Sequence, residues 1–196
     1  MENLSGRREH LVIAVRLALL TGMRRGEILN LEWEHVNVDS LPRTFVIGGE
    51  RWEIAPGWLL IVRSKNGRPR ALPMSAKVGA LLQVLYEDET RGRFVLKNAK
   101  TGLPIADIKT GFTNACRDAG IENLTFHDLR HTWSPRAAER SVPESVRRDV
   151  LGHSARTMIG SYTHSSPEAM RLAMEMVAGY SRENIFSLTA KSRQNG

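Results

Sequence analysis

Residues 125–164 read TFHDLRHTWSPRAAERSVPESVRRDVLGHSARTMIGSYTH, and the rest of the chain is best interpreted from them. Thr125 and Asp128 form the pattern of a capping box, which predicts a helix start. A helix there places His127 and Arg130, three apart, on one face where both can touch one ligand. Ser141 with Glu144 predicts a second helix start, with Val146, Val150 and Leu151 as its apolar side and Gly152 as its stop. His153 then sits just past a helix end. Tyr162 follows in a polar run, Ser161 to Ser166, with no apolar pattern to bury it, as suits a presented nucleophile. Taken singly, each feature has an ordinary reading: H-x-x-R recurs by chance, a His after Gly is often a helix cap, and most Tyr residues pack.

The bulk properties narrow the choices. At 196 residues with 41% hydrophobic content, the chain can bury one core, and a second full domain would be cramped. Against 21 Asp and Glu it carries 28 Lys and Arg, a formal charge of +7, so a phosphate backbone is a natural partner. The single Cys116 excludes an internal disulfide and multi-Cys zinc modules, and it points to a reducing, cytoplasmic setting. No apolar run approaches the roughly 18 residues of a membrane span, so no membrane role is expected. Internal repeats and low-complexity segments are absent from the sequence.

Upstream, Leu11, Val12, Val15, Ala18 and Leu19 recur at helical spacing and break at Thr21-Gly22. A second helix follows, with Thr21 as its expected cap, Ile28, Leu31 and Trp33 facing inward, and Glu27 early, where the helix dipole favours a carboxylate. Arg24 stands near that start against the dipole's preference. It is either a plain surface charge or a cation held by a bound anion or by Glu27. Phe45 to Ile47 and Trp58 to Val62 read as short strands. The second turns at Asn66-Gly67 into Ala71 to Met74, a hairpin crowded by Arg63, Lys65, Arg68 and Arg70. Helices return with Ser75 as a cap before Val78, Leu81, Leu82 and Leu85, then with Phe112, Ala115, Cys116 and Ala119 up to Gly120. A short strand is expected at Phe94 to Leu96. Ser166-Pro167 opens a last helix with Met170, Met174 and Val177 on its apolar side. The polar tail from Tyr180 either docks on a neighbour or frays.

The ordered set H-x-L-R-H, L-G-H and Y-T-H resembles the carboxy-terminal signature of the tyrosine recombinases, the phage-integrase family of site-specific DNA recombinases. T-G-x-R-x-G-E resembles the place where that family carries its first catalytic arginine, which makes Arg24 rather than Arg25 the matching residue. The resemblance runs from about Leu11 to Ala178. It implies a mainly α-helical catalytic domain with a small antiparallel β-sheet (α+β), spanning residues 1–196 with a core at about 8–179 and a tail at 180–196. It also implies Tyr162 as nucleophile, Arg24 and Arg130 as forks on the non-bridging oxygens, and His127 and His153 as further donors. Lys65 would be the hairpin's catalytic lysine, Arg63, Arg68 and Arg70 DNA-backbone contacts, and Glu27 a supporting residue. The implied reaction breaks and rejoins strands of double-stranded DNA through a 3′-phosphotyrosyl bond without cofactor, ATP or metal. The implied assembly is a homo-tetramer on DNA and a monomer when free.

Three features depart from the family pattern. The separate amino-terminal core-binding domain is expected to be absent, since the chain starts almost directly at the catalytic domain. Pro135 lies where the helix begun near Phe126 would continue, which predicts a kink or an early end. Ser141 stands where Gly is usual. Two other classes stay open: a DNA-binding accessory protein without productive activity, which covalent trapping would separate, and a metal-dependent hydrolase built on His127, His131 and His153, which metal analysis would separate.

Overall fold

The computed structural model describes residues 9–62, 69–153 and 165–179. The first described element, α1 (Glu9–Thr21), is covered on several sides: it packs against α2 (Arg25–Leu29), α3 (Ala76–Tyr86), α5 (Phe126–His131), α6 (Trp133–Ala138) and α8 (Pro167–Ala178). Its buried residues are Leu11, Ile13, Ala14, Leu17, Ala18 and Thr21. The expected stripe was misplaced, since Val12, Val15 and Leu19 are only half-buried. A helix covered on several sides has no sharp apolar stripe for spacing to reveal.

Gly22, at φ +66, ends α1. The Thr21 hydroxyl donates back to the Leu17 carbonyl and accepts from the Met23 N–H, so Thr21 closes α1 and does not cap α2 as expected. The cap residue is Arg24, in extended backbone, and Glu27 at the third helical position takes the Arg24 N–H at 2.8 Å. Only five residues long, α2 leaves the buried Leu31 and Trp33 outside it, Trp33 in a short 3-10 turn.

A three-stranded antiparallel sheet follows, ordered β1 (Val36–Asn37), β4 (Trp58–Ile61), β5 (Arg70–Pro73). All four residues of β4 are buried because both its faces are covered. Leu59 and Ile61 join the helical core. Trp58 and Leu60 join a second cluster with Ile54, Phe45, Ile47 and Trp52 from the separate hairpin of β2 (Arg43–Ile47) and β3 (Glu50–Ile54). The single expected sheet is therefore two. The predicted pairing of the strand at Trp58 with the strand around Ala71 holds, in the register Trp58↔Pro73 to Ile61↔Arg70, while its Asn66-Gly67 turn lies outside the described residues. The strand expected at Phe94 to Leu96 shrinks to one bridge, between Glu32 and Phe94.

In the helical half, Ser75 caps α3 and Ser166 caps α8 through their hydroxyls, as read from the sequence. α4 (Lys109–Asp118) ends shortly before Gly120, at φ +65. The Thr125–Asp128 box is present, with the Thr125 N–H at 2.8 Å and its hydroxyl at 2.6 Å from Asp128 Oδ2. Pro135 does break the helix: α5 stops at His131 and α6 restarts at Trp133, which positions the proline's missing N–H within the first turn of a new helix. Ser141 is corrected. It is not a helix cap but a left-handed residue at φ +59, and Pro143 caps α7 (Glu144–Leu151). Gly152 ends α7 at φ +65, as expected. Among the described residues no helix is long and apolar enough to cross a membrane.

Candidate active site

The short turn between α1 and α2, the end of α5, the end of α7 and the first residue of β5 meet at one place. Arg130 is 3% exposed, an unusual position for a guanidinium. Its Nη1 donates to the Gly22 carbonyl and its Nη2 to the Leu151 carbonyl. Both acceptors belong to the last turns or C-caps of helices, where carbonyls lack helical partners and the dipole favours a cation. Nη2 also lies 3.1 Å from His153 Nε2. Arginine only donates, so this contact places the lone pair on Nε2 and the ring proton on Nδ1. Burial first, then the Arg24 charge, lowers Arg130 to about 10, still a cation at neutral pH.

Arg24 is held differently. Its Nη1 reaches Glu27 Oε1 at 2.9 Å, so of the alternatives left open by the sequence the Glu27 pair is present. The Glu27 carboxylate, 2% exposed, also receives Arg70 as a two-pronged fork, Nη1 to Oε1 and Nη2 to Oε2, each at 2.8 Å. With the Arg24 N–H this makes four hydrogen bonds, about the full acceptor capacity of a carboxylate. Burial pushes the Glu27 carboxyl up, but the Arg70 fork and then Arg24 outweigh it, and the net direction is below the usual range. Arg70 thus turns inward to an acid, contrary to the expectation of a hairpin charge facing DNA.

His127 and His153 are both exposed at the surface of this cluster. Burial of part of the ring, then the charges of His131 and Arg130, holds His127 below its ordinary value. Burial, then Arg130 and Arg24, does the same for His153. Both are therefore neutral at pH 7, with ring N–H groups available as donors. The His127 and His131 rings meet edge to face at 4.4 Å between centroids. Gly22 and the Leu151 carbonyl join the site without having been singled out, and His131, weighed only as a metal ligand, joins it through His127. H-x-L-R-H contained His131, but only the folded chain brings Gly22 to Arg130, 108 positions away.

Lys65, Arg63, Arg68 and Tyr162 lie outside the described residues. Ser165, three positions after Tyr162 in sequence, is tied to Asp149 of α7, its N–H at 2.8 Å and its hydroxyl at 2.6 Å from Oδ2. The metal alternative finds no gathered set in His127, His131 and His153. Among the described residues the convergent ligand atoms are those of Glu32, Glu34 and His35, within 4.8 Å of one another. Glu32 there is already paired with Arg93, at 2.9 and 3.2 Å. These residues line a cavity of about 200 Å³ whose wall Glu27 shares, and two of its carboxylates, Glu27 and Glu32, are already held by arginines.

What the cluster offers is two guanidinium groups, one fixed by a carboxylate and one by backbone carbonyls, flanked by two neutral imidazoles. Such fixed donors stabilise charge that develops on an oxyanion, because little reorganisation is needed when it forms.

Comparison with known proteins points the same way. The model of the phage integrase family matches residues 2–169. The integrase of Salmonella phage P22 is 28% identical over 169 residues, covering 81% of this chain and 40% of that protein. A shufflon-specific DNA recombinase of Escherichia coli is 29% identical over 198 aligned positions, covering 95% of this chain and 44% of that protein. The chain thus spans less than half the length of these two relatives. Among solved structures, the integrase from mycobacterium phage Brujita superposes with a TM-score of 0.60 at 18% identity, over 91% of this chain and 56% of that one. A lambda integrase tetramer bound to a Holliday junction superposes with a TM-score of 0.55 at 22% identity, over 79% and 44%. With the family model covering most of its length, and its helical body with small antiparallel sheets shared with these integrase structures, the chain belongs to the phage integrase family.

Proposed function

We propose that this chain is the catalytic domain of a site-specific recombinase that cuts and rejoins double-stranded DNA through a 3′-phosphotyrosyl intermediate, with Tyr162 as nucleophile. The observation that carries this reading is the pair of independently anchored guanidinium groups, Arg24 and Arg130. Attack of a phenol on a phosphodiester spreads extra negative charge over the non-bridging oxygens, and two fixed forks are suited to that charge. His153 and His127 extend the donor set through their ring N–H groups, and neutral His127 can also take up the phenol proton. Lys65 supplies a proton to the leaving 5′-oxygen. Arg63 and Arg68 contact the DNA backbone. The phosphotyrosyl bond conserves the energy of the cut bond, so rejoining needs no cofactor.

The shufflon-specific DNA recombinase supports DNA as the substrate, and the lambda integrase tetramer on a Holliday junction supports a homo-tetramer on DNA as the working assembly. The test is covalent trapping on a nicked suicide duplex. A denaturant-stable adduct is expected from the native chain and none from Tyr162→Phe, with DNA affinity retained. An adduct from Tyr162→Phe would move the nucleophile, with Tyr180 next to be tried.

A further inference from the structure

We infer that Arg70 is a positioning residue: it fixes Arg24 through Glu27 and, by seating on Gly152, sets the turn that carries His153 against Arg130. The inference rests on the functional reading above for its consequence on cleavage, but not for its geometry.

Three observations converge. Both terminal nitrogens of Arg70 are committed to Glu27, at 2.8 Å each, and the side chain is 12% exposed. Its Nε is buried and without a hydrogen-bond partner among the described residues. Two of its five N–H donors are thus spent on Glu27, and burial leaves little of this guanidinium open to a phosphate. Glu27 in turn shares each of its oxygens between Arg70 and Arg24: Oε1 with the Arg24 Nη1, Oε2 with the Arg24 backbone N–H. Removing Arg70 leaves the carboxylate with half its donors and frees it to swing, taking the Arg24 fork with it. The third observation is steric. A Cβ built on Gly152 would stand 3.1 Å from Arg70 Cδ and Nη1 and 3.2 Å from Cζ. An arginine pinned by two hydrogen bonds cannot yield that space easily. Gly152 is therefore glycine on two counts, its φ of +65 and the guanidinium lying on it. The next residue is His153, whose Nε2 meets Arg130. One side chain of β5 thus reaches both halves of the cationic cluster.

The experiment uses the full chain and the variants Arg70→Met, Arg70→Lys, Glu27→Gln and the Arg70→Met/Glu27→Gln pair. Two quantities are measured: the salt dependence of duplex binding and the single-turnover rate of adduct formation at saturating DNA. For a positioning residue, Arg70→Met leaves the slope of log K against log salt unchanged and slows adduct formation by about tenfold to a hundredfold. Arg70→Lys is nearly as slow, because an ammonium cannot span both carboxylate oxygens. The double variant is no slower than Glu27→Gln alone. For a DNA ligand, Arg70→Met lowers the slope by about 0.9, the release of one counterion. Arg70→Lys would then restore native rates, and the effects of Arg70→Met and Glu27→Gln would multiply. Any of those three results overturns the inference. Should Arg70→Met fail to fold, Arg70→Lys decides the matter alone by its rate.

Should the native chain form no adduct, the functional reading fails, and the inference is judged separately on the Arg24 backbone amide, whose bond to Glu27 reports the carboxylate's position. Its hydrogen exchange is expected to rise about tenfold or more in Arg70→Lys while core amides stay unchanged. Unaltered exchange at Arg24 overturns the inference irrespective of activity.

Discussion

Arg24 and Arg130 sit in sockets made of different materials. The Arg24 socket is a side-chain carboxylate, Glu27, itself held by a second cation from β5. The Arg130 socket consists of two backbone carbonyls, Gly22 and Leu151, with a neutral imidazole at its rim. A carboxylate gives strong, tunable charge but can be protonated or substituted. Carbonyls at helix ends cannot be removed by mutation, and they hold a guanidinium only while three separate parts of the fold stay in place. The first socket is chemically fragile and the second architecturally fragile.

The largest expected effect breaks the sockets by removing their occupants. Arg24→Met and Arg130→Met each slow adduct formation by about 10²-fold, the scale of one lost transition-state donor. They should part in stability. Arg130→Met leaves two buried carbonyls unmet, at about 1–3 kcal/mol each, whereas Arg24→Met leaves Glu27 still answered by Arg70. Urea midpoints beside single-turnover rates check this, and equal stability losses would erase the distinction.

Next comes Glu27→Ala, which strands two cations near each other. A loss of about 3 kcal/mol is expected from breaking a buried pair, read by chemical denaturation. The same socket has an acid signature. Because the folded Glu27 carboxyl lies below its ordinary 4.5, its contribution is full above that pH and is lost as pH falls through the depressed value. Glu27→Gln should lack this part of the acid transition.

The two sockets should also separate between these limits. His153 is held below its ordinary 6.5, so protons bind the unfolded chain more readily, and stability falls as pH drops through the lowered folded value. Protonated Nε2 can no longer accept from Arg130, so that socket loosens first while the Glu27 socket persists to about 4.5 and below. Side-chain NMR signals of Arg130 and Arg24 followed over pH 7 to 4 test the order, and simultaneous change would contradict it.

The smallest effect is a control in the α6–α7 turn, at a residue that belongs to neither socket. Ser141→Gly removes left-handed strain at φ +59 and is expected to stabilise by at most about 1 kcal/mol, since glycine's own entropy offsets part of the gain. Thermal denaturation reads it, with the adduct rate unchanged.

Most of what the sequence revealed was local. The Ser75, Thr125–Asp128 and Ser166–Pro167 helix starts, the Gly152 stop and the Pro135 break all depend on residues within a turn of each other, and each is found. The Arg24–Glu27 pair was visible for the same reason, three residues apart. Errors came where an equally good local signal met a tertiary demand. Thr21 has a cap's chemistry, yet Gly22 must turn directly against Leu151 and Trp133, where a Cβ would come within 2.7 Å of Leu151 Cδ2. Ser141 has a cap's chemistry too, but the α6–α7 turn needs a left-handed residue there. β3 was missed because its charged and half-exposed residues, ERWEI, show little apolar alternation, and it is a strand by pairing with β2. The Arg70–Glu27 bond joins residues 43 apart, and nothing in the hairpin's run of cations distinguishes the inward one. The cations of the cluster were legible, and so was Glu27 as a candidate partner for Arg24, whereas the Arg70 fork and the carbonyl socket of Arg130 were not.

The Arg130 socket also dictates a timetable. Its partners are residues 22, 130 and 151, so its longest contact closes a loop of 108 positions and no shorter piece of the chain contains it. Contacts of such separation form late, because the entropy of closing the loop comes before the reward. A chain leaving the ribosome therefore displays its basic surface well before it owns an ordered anion site. Under the proposed function, affinity for DNA would therefore precede competence to react with it during synthesis.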